Sequence, residues 1–112
     1  MTAHVPDAGD LIWLTFDPQA GHEQSGRRPA LVLSPKSYNL KSGLALVCPV
    51  TNRAKGYPFE VPVPASFGVT GVILSDHVKS LDWKARQSSR IGRVPTSTLE
   101  EALSRLAPLL GY

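Results

Sequence analysis

The chain has 112 residues, 42% of them hydrophobic and 19% charged, with twelve Lys and Arg against nine Asp and Glu for a formal net charge of +3. That length supports one buried core without a staple and is too short for two, so residues 1–112 are read as a single domain. The lone Cys48 has no intrachain partner and His4, His22 and His77 lack zinc or haem spacing. No apolar run approaches the ~18 residues of a spanning helix, so the disulfide, metal and membrane classes are set aside.

Residues 1–8 have no periodicity, and Pro6 disfavours helix just before it, so a flexible arm ending in a turn is expected. Leu11 to Phe16 is apolar on both alternating faces, the pattern of a central strand covered on both sides. Asp17 and Pro18 stop it. Gly21 and Gly26 then allow sharp turns in a loop that carries His22, Glu23, Gln24, Arg27 and Arg28. Ala30 to Leu33 is a second strand, and Ser34-Pro35 opens a short helical turn through Tyr38.

Leu44 to Val50 reads as a third strand, followed by a second polar loop from Thr51 to Pro58. Phe59 to Val63 is an edge strand, because Pro62 would remove a ladder donor from an interior one. Gly71 to Leu74 is a fifth strand, Asp76 to Trp83 fits either a helical turn or an irregular strand, and Ala85 to Val94 is a last polar strand. A helix starts at Thr96 or Ser97, with capping-box spacing in Ser97/Glu100 or Thr98/Glu101 and an apolar stripe of Leu99, Leu103, Leu106 and Leu110; Pro108 shortens or kinks its end. Five to seven short strands and one long helix make a small, mainly β barrel. Trp13, Trp83 and Cys48 are assigned to core or interface packing.

Charge is unevenly spread. Lys79 to Arg93 holds five basic residues and one acid, Asp82, while Arg27, Arg28, Arg53 and Lys55 fall in loops. Such clustering suits either a polyanionic ligand or a solvated basic face. Arg28, fixed in extended backbone by Pro29, is a poor proton acceptor but a good bidentate phosphate clamp; its bland role is a surface pair with Glu23 or Asp17. Arg27 is its solvated neighbour. Glu23 accepts a proton if burial raises its pKa, and His22 is the imidazole within the same loop. Thr51 offers a hydroxyl to a phosphate or caps the strand end. Arg53 and Lys55 supply phosphate contacts and Tyr57 a stacking surface, the mixture of a single-stranded nucleic-acid site, although Tyr57-Pro58-Phe59 also fits a packed turn.

The stretches GDLIWLTFDPQAGHEQSGRRPALVLSP, CPVTNRAKGYPFEV and LSDHVKSLDWKAR together resemble the MazF/PemK family of toxin endoribonucleases over nearly the whole chain. The linked pattern Glu-Gln-x-Gly-x-Arg-Pro, followed by a strand ending Pro-x-Thr, is the specific part. The resemblance implies an SH3-like barrel of the MazF/PemK/CcdB type with a C-terminal helix, assembled as a cytoplasmic homodimer. It implies metal-independent, cofactor-free cleavage of single-stranded mRNA at a short sequence, leaving a 2′,3′-cyclic phosphate and a 5′-hydroxyl. It also implies a cognate MazE-like antitoxin whose acidic, disordered tail blocks the RNA groove.

Matched by motif, the family's catalytic residues fall on Arg28, Thr51 and Glu23, with His22 as the other acid/base candidate. RNA contacts are expected from Gln24, Arg27, Asn52, Arg53, Lys55, Tyr57 and Lys79. The sequence departs from the family pattern at His22, where a small polar residue is common, and at His77, where glutamine is familiar. Two rival readings keep the fold: a CcdB-like gyrase poison that cleaves nothing, and a non-catalytic RNA-binding regulator. The chain ends Leu109-Leu110-Gly111-Tyr112, without the C-terminal tryptophan motif of the gyrase poisons. Metal independence predicts that RNA cleavage continues in excess EDTA; loss in the chelator with recovery on adding magnesium would exclude it.

Overall fold

The structure, a computed structural model, describes residues 4–17, 21 and 24–112. Seven strands and two helices follow one another as β1 (Asp10–Thr15), β2 (Arg27–Val32), α1 (Lys36–Ser42), β3 (Leu44–Thr51), β4 (Glu60–Pro62), β5 (Val72–Leu74), β6 (Lys79–Asp82), β7 (Ser89–Arg93) and α2 (Thr96–Leu106). Single 3₁₀ turns occupy Ala65–Phe67, Ser75–His77 and Ala107–Leu110.

The sheet is antiparallel and mainly runs β4-β5-β3-β2-β1-β7. β3 is the branch point: Leu44 to Val47 pair with β6, and Val50 and Thr51 with β5, while Val47 to Pro49 pair with β2 on the other edge. The barrel expectation is met in class but not in closure, since β4 and β7 end the path without pairing with each other. Side chains bridge that seam. Val61 of β4 and Val94, just after β7, meet Ala102 of α2 in one cluster with Leu11, Leu31, Cys48, Val50 and Ile73.

The opposite face of the same central strands buries Ile12, Leu14, Phe16, Ala30, Val32, Ala45 and Val47 against Trp83. A two-sided core is what apolar residues on both alternating faces dictate. Trp13 departs from it at 37% exposed. Burial also pushes the Cys48 thiol up to about 12, with Asp76 adding to the effect.

Four local expectations need correction. The segment before β1 is docked, not a free arm. Pro6 is buried, His4 Nε2 and the Asp7 amide each sit 2.9 Å from the buried Asp10 carboxylate, and Asp7 Oδ1 accepts the Lys36 amide at the start of α1. Second, α2 has no capping box: Pro95 stands at its N-cap without a side-chain cap, and its first turn holds no acid. Third, its inward face is Thr98, Ala102 and Leu106, whereas Leu103 and Leu110 are exposed. Small residues at the contact let the helix lie close to the sheet. The helical turn expected to end at Tyr38 continues to Ser42 as α1.

Asn39 ties these parts together from a fully buried position. Its amide donates to Pro6 O at 2.7 Å and to Ser34 O at 3.0 Å, and its Oδ1 accepts from Ser34 Oγ at 2.6 Å. Its own carbonyl accepts from Trp83 Nε1 at 3.0 Å. Asn39→Ala would remove the side-chain partner of the Pro6 and Ser34 carbonyls and of the Ser34 hydroxyl proton, while Ser34 Oγ keeps the Leu46 amide. We expect a loss of about 3 kcal/mol in urea denaturation; a change under about 1 kcal/mol would count against this role.

Candidate active site

The strands on either side of the branch point deliver the two polar loops to one groove of about 840 Å³. Gly21, Gln24, Ser25 and Arg28 come from one loop and the strand it enters; Thr51, Asn52, Arg53, Lys55 and Tyr57 come from the other. Two expected residues, His22 and Glu23, lie outside the described residues.

Arg28 is the second residue of β2, paired with Leu14. Its guanidinium is held by two backbone carbonyls: Nε donates to Ser25 O at 2.8 Å and Nη1 to Val50 O at 3.1 Å. Two of its five N–H donors are thus used in positioning, and among the described residues no other hydrogen-bond partner takes the rest. Arg28 therefore does not spend its fork on Asp17, whose Oδ1 accepts the Gly26 amide. Partial burial, then repulsion from Arg53, lowers its pKa, with Asp17 opposing the shift; arginine stays protonated at neutral pH all the same.

The sequence explains why Val50 can accept that bond. Leu33 donates to Leu46 O at 2.8 Å, and Leu31 and Cys48 are partners two residues further on. The same alternation makes Val50 face Pro29, which has no N–H. The ladder lacks its donor there, and the Arg28 side chain supplies one. Extending the β2–β3 register past its last pair, Ala30–Pro49, sets Arg28 opposite Thr51.

Thr51 is buried at 6% exposure, and its Oγ1 accepts the Arg53 amide at 3.1 Å, which leaves its hydroxyl proton for a ligand. Gly71, the residue before β5, packs against it. A Cβ there would lie 2.4 Å from Thr51 O, and its φ of +125° is unfavourable for any other residue. Asn52 Oδ1 accepts from Thr70 Oγ1 at 2.9 Å. Tyr57 is 59% exposed, so it is not the packed turn that its neighbours allowed, and Lys55 Nζ lies 5.9 Å from its ring centre.

Arg28 and Asn52 also line a second groove of about 410 Å³ with Trp13, Arg27 and Pro29. Arg27 is exposed and reaches Thr15 Oγ1 and Ser89 Oγ, both at 3.3 Å. Lys79, on β6 opposite Val47, lines neither groove.

The basic run from Lys79 to Arg93 is dispersed by the fold. Arg86 donates to Thr15 O and Asp17 O, and Arg90 and Arg93 face the buried Asp10 at 3.9 and 3.5 Å. Cation density at the groove comes instead from Arg28, Arg53 and Lys55. The sequence offered no site role for Glu60 or Asp76 and marked His77 only as a departure from the family pattern, yet all three line the main groove. Asp76 and His77 arrive on the 3₁₀ turn after β5, so only the β3–β5 pairing brings them there. Among the described residues no three His, Cys, Asp or Glu side chains cluster as metal ligands.

Residues 7–110 match the family described as PemK-like, MazF-like toxin of type II toxin-antitoxin system. The chain belongs to this family. It is 47% identical over 111 residues to the endoribonuclease toxin MazF of Escherichia coli K12, covering 99% of each chain. It is 40% identical over 108 residues to the endoribonuclease PemK of Escherichia coli, covering 93% of this chain and 81% of that one. A crystal structure of MazF from Deinococcus radiodurans superimposes with a TM-score of 0.94 at 58% identity, covering 98% of this chain and 100% of that one. A MazE-MazF structure from the same organism gives 0.87 at 59% identity, covering 97% and 98%. The seven-stranded sheet and C-terminal helix are thus those of a MazF-like toxin.

The Pro29 argument predicts a structural change in this MazF-like chain. In Pro29→Ala the new amide should pair with Val50 O, exchange slowly, and weaken the Arg28 guanidinium contact, all visible by NMR. A rapidly exchanging amide at position 29 with an unchanged Arg28 Nε–H signal would refute it.

Proposed function

We propose that this chain is a cytoplasmic endoribonuclease toxin that cuts single-stranded RNA within a short sequence, needs no metal, acts as a homodimer and is neutralised by a cognate antitoxin. The observation that carries the reading is the Arg28 guanidinium, held by two backbone carbonyls beside the Thr51 hydroxyl in a groove flanked by Arg53 and Lys55. That is a preorganised cationic site for a phosphate. Relatives named endoribonuclease at 40–47% identity and a MazE-MazF complex on the same fold support the activity and the partner.

RNA carries its own nucleophile. The 2′-oxygen attacks the adjacent phosphorus, its proton passes to a base, and a P–O2′ bond forms as the P–O5′ bond breaks. The 5′-oxygen leaves with a proton from an acid, giving a 2′,3′-cyclic phosphate and a 5′-hydroxyl. Arg28 neutralises the charge that grows on the non-bridging oxygens, and its fixed fork costs no reorganisation at that moment. Thr51 donates to the same phosphate. Glu23 or His22 of the first polar loop is the base candidate from the sequence, and the Asp76 carboxylate, which lines the groove, is another. Gln24, Asn52 and Tyr57 are placed to contact the flanking nucleotides, with Tyr57 as a stacking surface.

The test is cleavage of a long RNA with mapping of the ends. Arg28→Ala should lose about a hundredfold to a thousandfold in rate while remaining folded, and Arg28→Lys should recover little, because a point charge does not reproduce the planar fork. Pairing these with pH–rate profiles of His22→Ala, Glu23→Gln and Asp76→Asn identifies the base as the variant that abolishes the ascending limb. Wild-type activity in Arg28→Ala would end the proposal.

A further inference from the structure

The loop from Asn52 to Pro58 carries two of the groove's cations and its aromatic surface, yet every residue in it is exposed. No apolar packing fixes its shape. Thr51 and Thr70 anchor its first residues, Arg53 and Asn52, and two further side chains from outside the loop hold the turn from Lys55 to Pro58. The Glu60 carboxylate accepts the Lys55 amide on Oε2 at 2.9 Å and the Gly56 amide on Oε1 at 3.0 Å. Gly56 has φ +78°, a left-handed turn that lets adjacent amides converge on one carboxylate. From the other side Arg105 of α2 donates to Pro58 O, and is itself held by Glu101 at 3.2 Å one helical turn back.

We propose that Glu60 is a positioning residue for RNA binding, the clamp that holds the Lys55–Tyr57 turn in its binding geometry, with Arg105 as a second latch from α2. The proposal rests on the endoribonuclease reading above. Glu60 is itself fixed: it begins β4, pairs with Leu74, and its amide donates to Tyr57 O at 3.1 Å. The charge logic favours clamping over direct contact. A carboxylate facing the substrate phosphate would repel it, but one consumed by two amides has its charge partly neutralised and leaves the Lys55 ammonium for the backbone. Order imposed before binding removes an entropic cost otherwise met when RNA arrives, so its loss appears in affinity.

The experiment uses the full chain. Glu60→Gln keeps size but offers one acceptor and turns an NH₂ group towards the second amide. We expect the Lys55 and Gly56 amides to exchange about tenfold faster or more, and KM for RNA to rise about tenfold with kcat within about twofold. Arg105→Met, which leaves the Glu60 pairing intact, should shift both readouts in the same direction by a smaller factor and keeps the test available if Glu60→Gln does not fold. Unchanged exchange at both amides overturns the clamp. A fall in kcat at constant KM overturns positioning in favour of a direct part in the chemistry. If the wild-type chain cuts no RNA, the functional reading fails, and amide exchange alone still decides whether Glu60 clamps the loop.

Discussion

A single missing donor organises the site. Proline at position 29 cannot complete the β2–β3 ladder, so the Val50 carbonyl is open to the side chain of the preceding residue. Arg28 is in this way joined to the strand that ends in Thr51 by a bond that also satisfies a main-chain acceptor. A buried carbonyl left unpaired would be costly, so the guanidinium is stabilised in one place rather than several. The Arg-Pro dipeptide is therefore more than a cation beside a turn residue: the proline prepares the acceptor that aims the arginine.

Branching of β3 extends this arrangement to the opposite wall. Its first half pairs with β6 and its last two residues with β5, which brings the Ser75–His77 turn, and with it Asp76, to face the β1–β2 side of the groove. Gly71 sits against the Thr51 carbonyl so closely that no side chain fits between the strands. Where strands diverge the sheet opens, and the groove lies at that opening. The same curvature leaves β4 and β7 unpaired with each other, and their seam is filled by α2 through Ala102.

Electrostatics at the groove are set by which cations the fold spends elsewhere. Arg86, Arg90 and Arg93 satisfy the Thr15 and Asp17 carbonyls and the Asp10 carboxylate, so the densest basic run in the sequence serves structure. Arg53 and Lys55 keep their charge at the groove, and Arg53 contributes to lowering the pKa of Arg28. Three cations lining one groove make it a favourable place for an anion. Cys48, just beneath, plays no such part because burial holds its thiol protonated.

Local patterns in the sequence determined the strands and most of the two-sided burial of β1, whose apolar residues fall on both alternating faces, with Trp13 the exposed exception. They also determined the two polar loops and Pro62 at an edge, because turn residues act over a few neighbours, whereas the β2–β3 register is what sets Arg28 opposite Thr51. Four features depended on long-range partners and were decided only by tertiary structure. The first segment is docked because Pro6 and Asp7 find Asn39 and Lys36. The inward stripe of α2 keeps Leu99 and Leu106 of the expected leucines but adds Thr98 and Ala102 and leaves Leu103 exposed, because the sheet lies close to the helix. The basic run was diverted to Asp10 and two carbonyls. Glu60 and Asp76 entered the groove through strand pairing, a contact between residues far apart in the chain that no local spacing encodes.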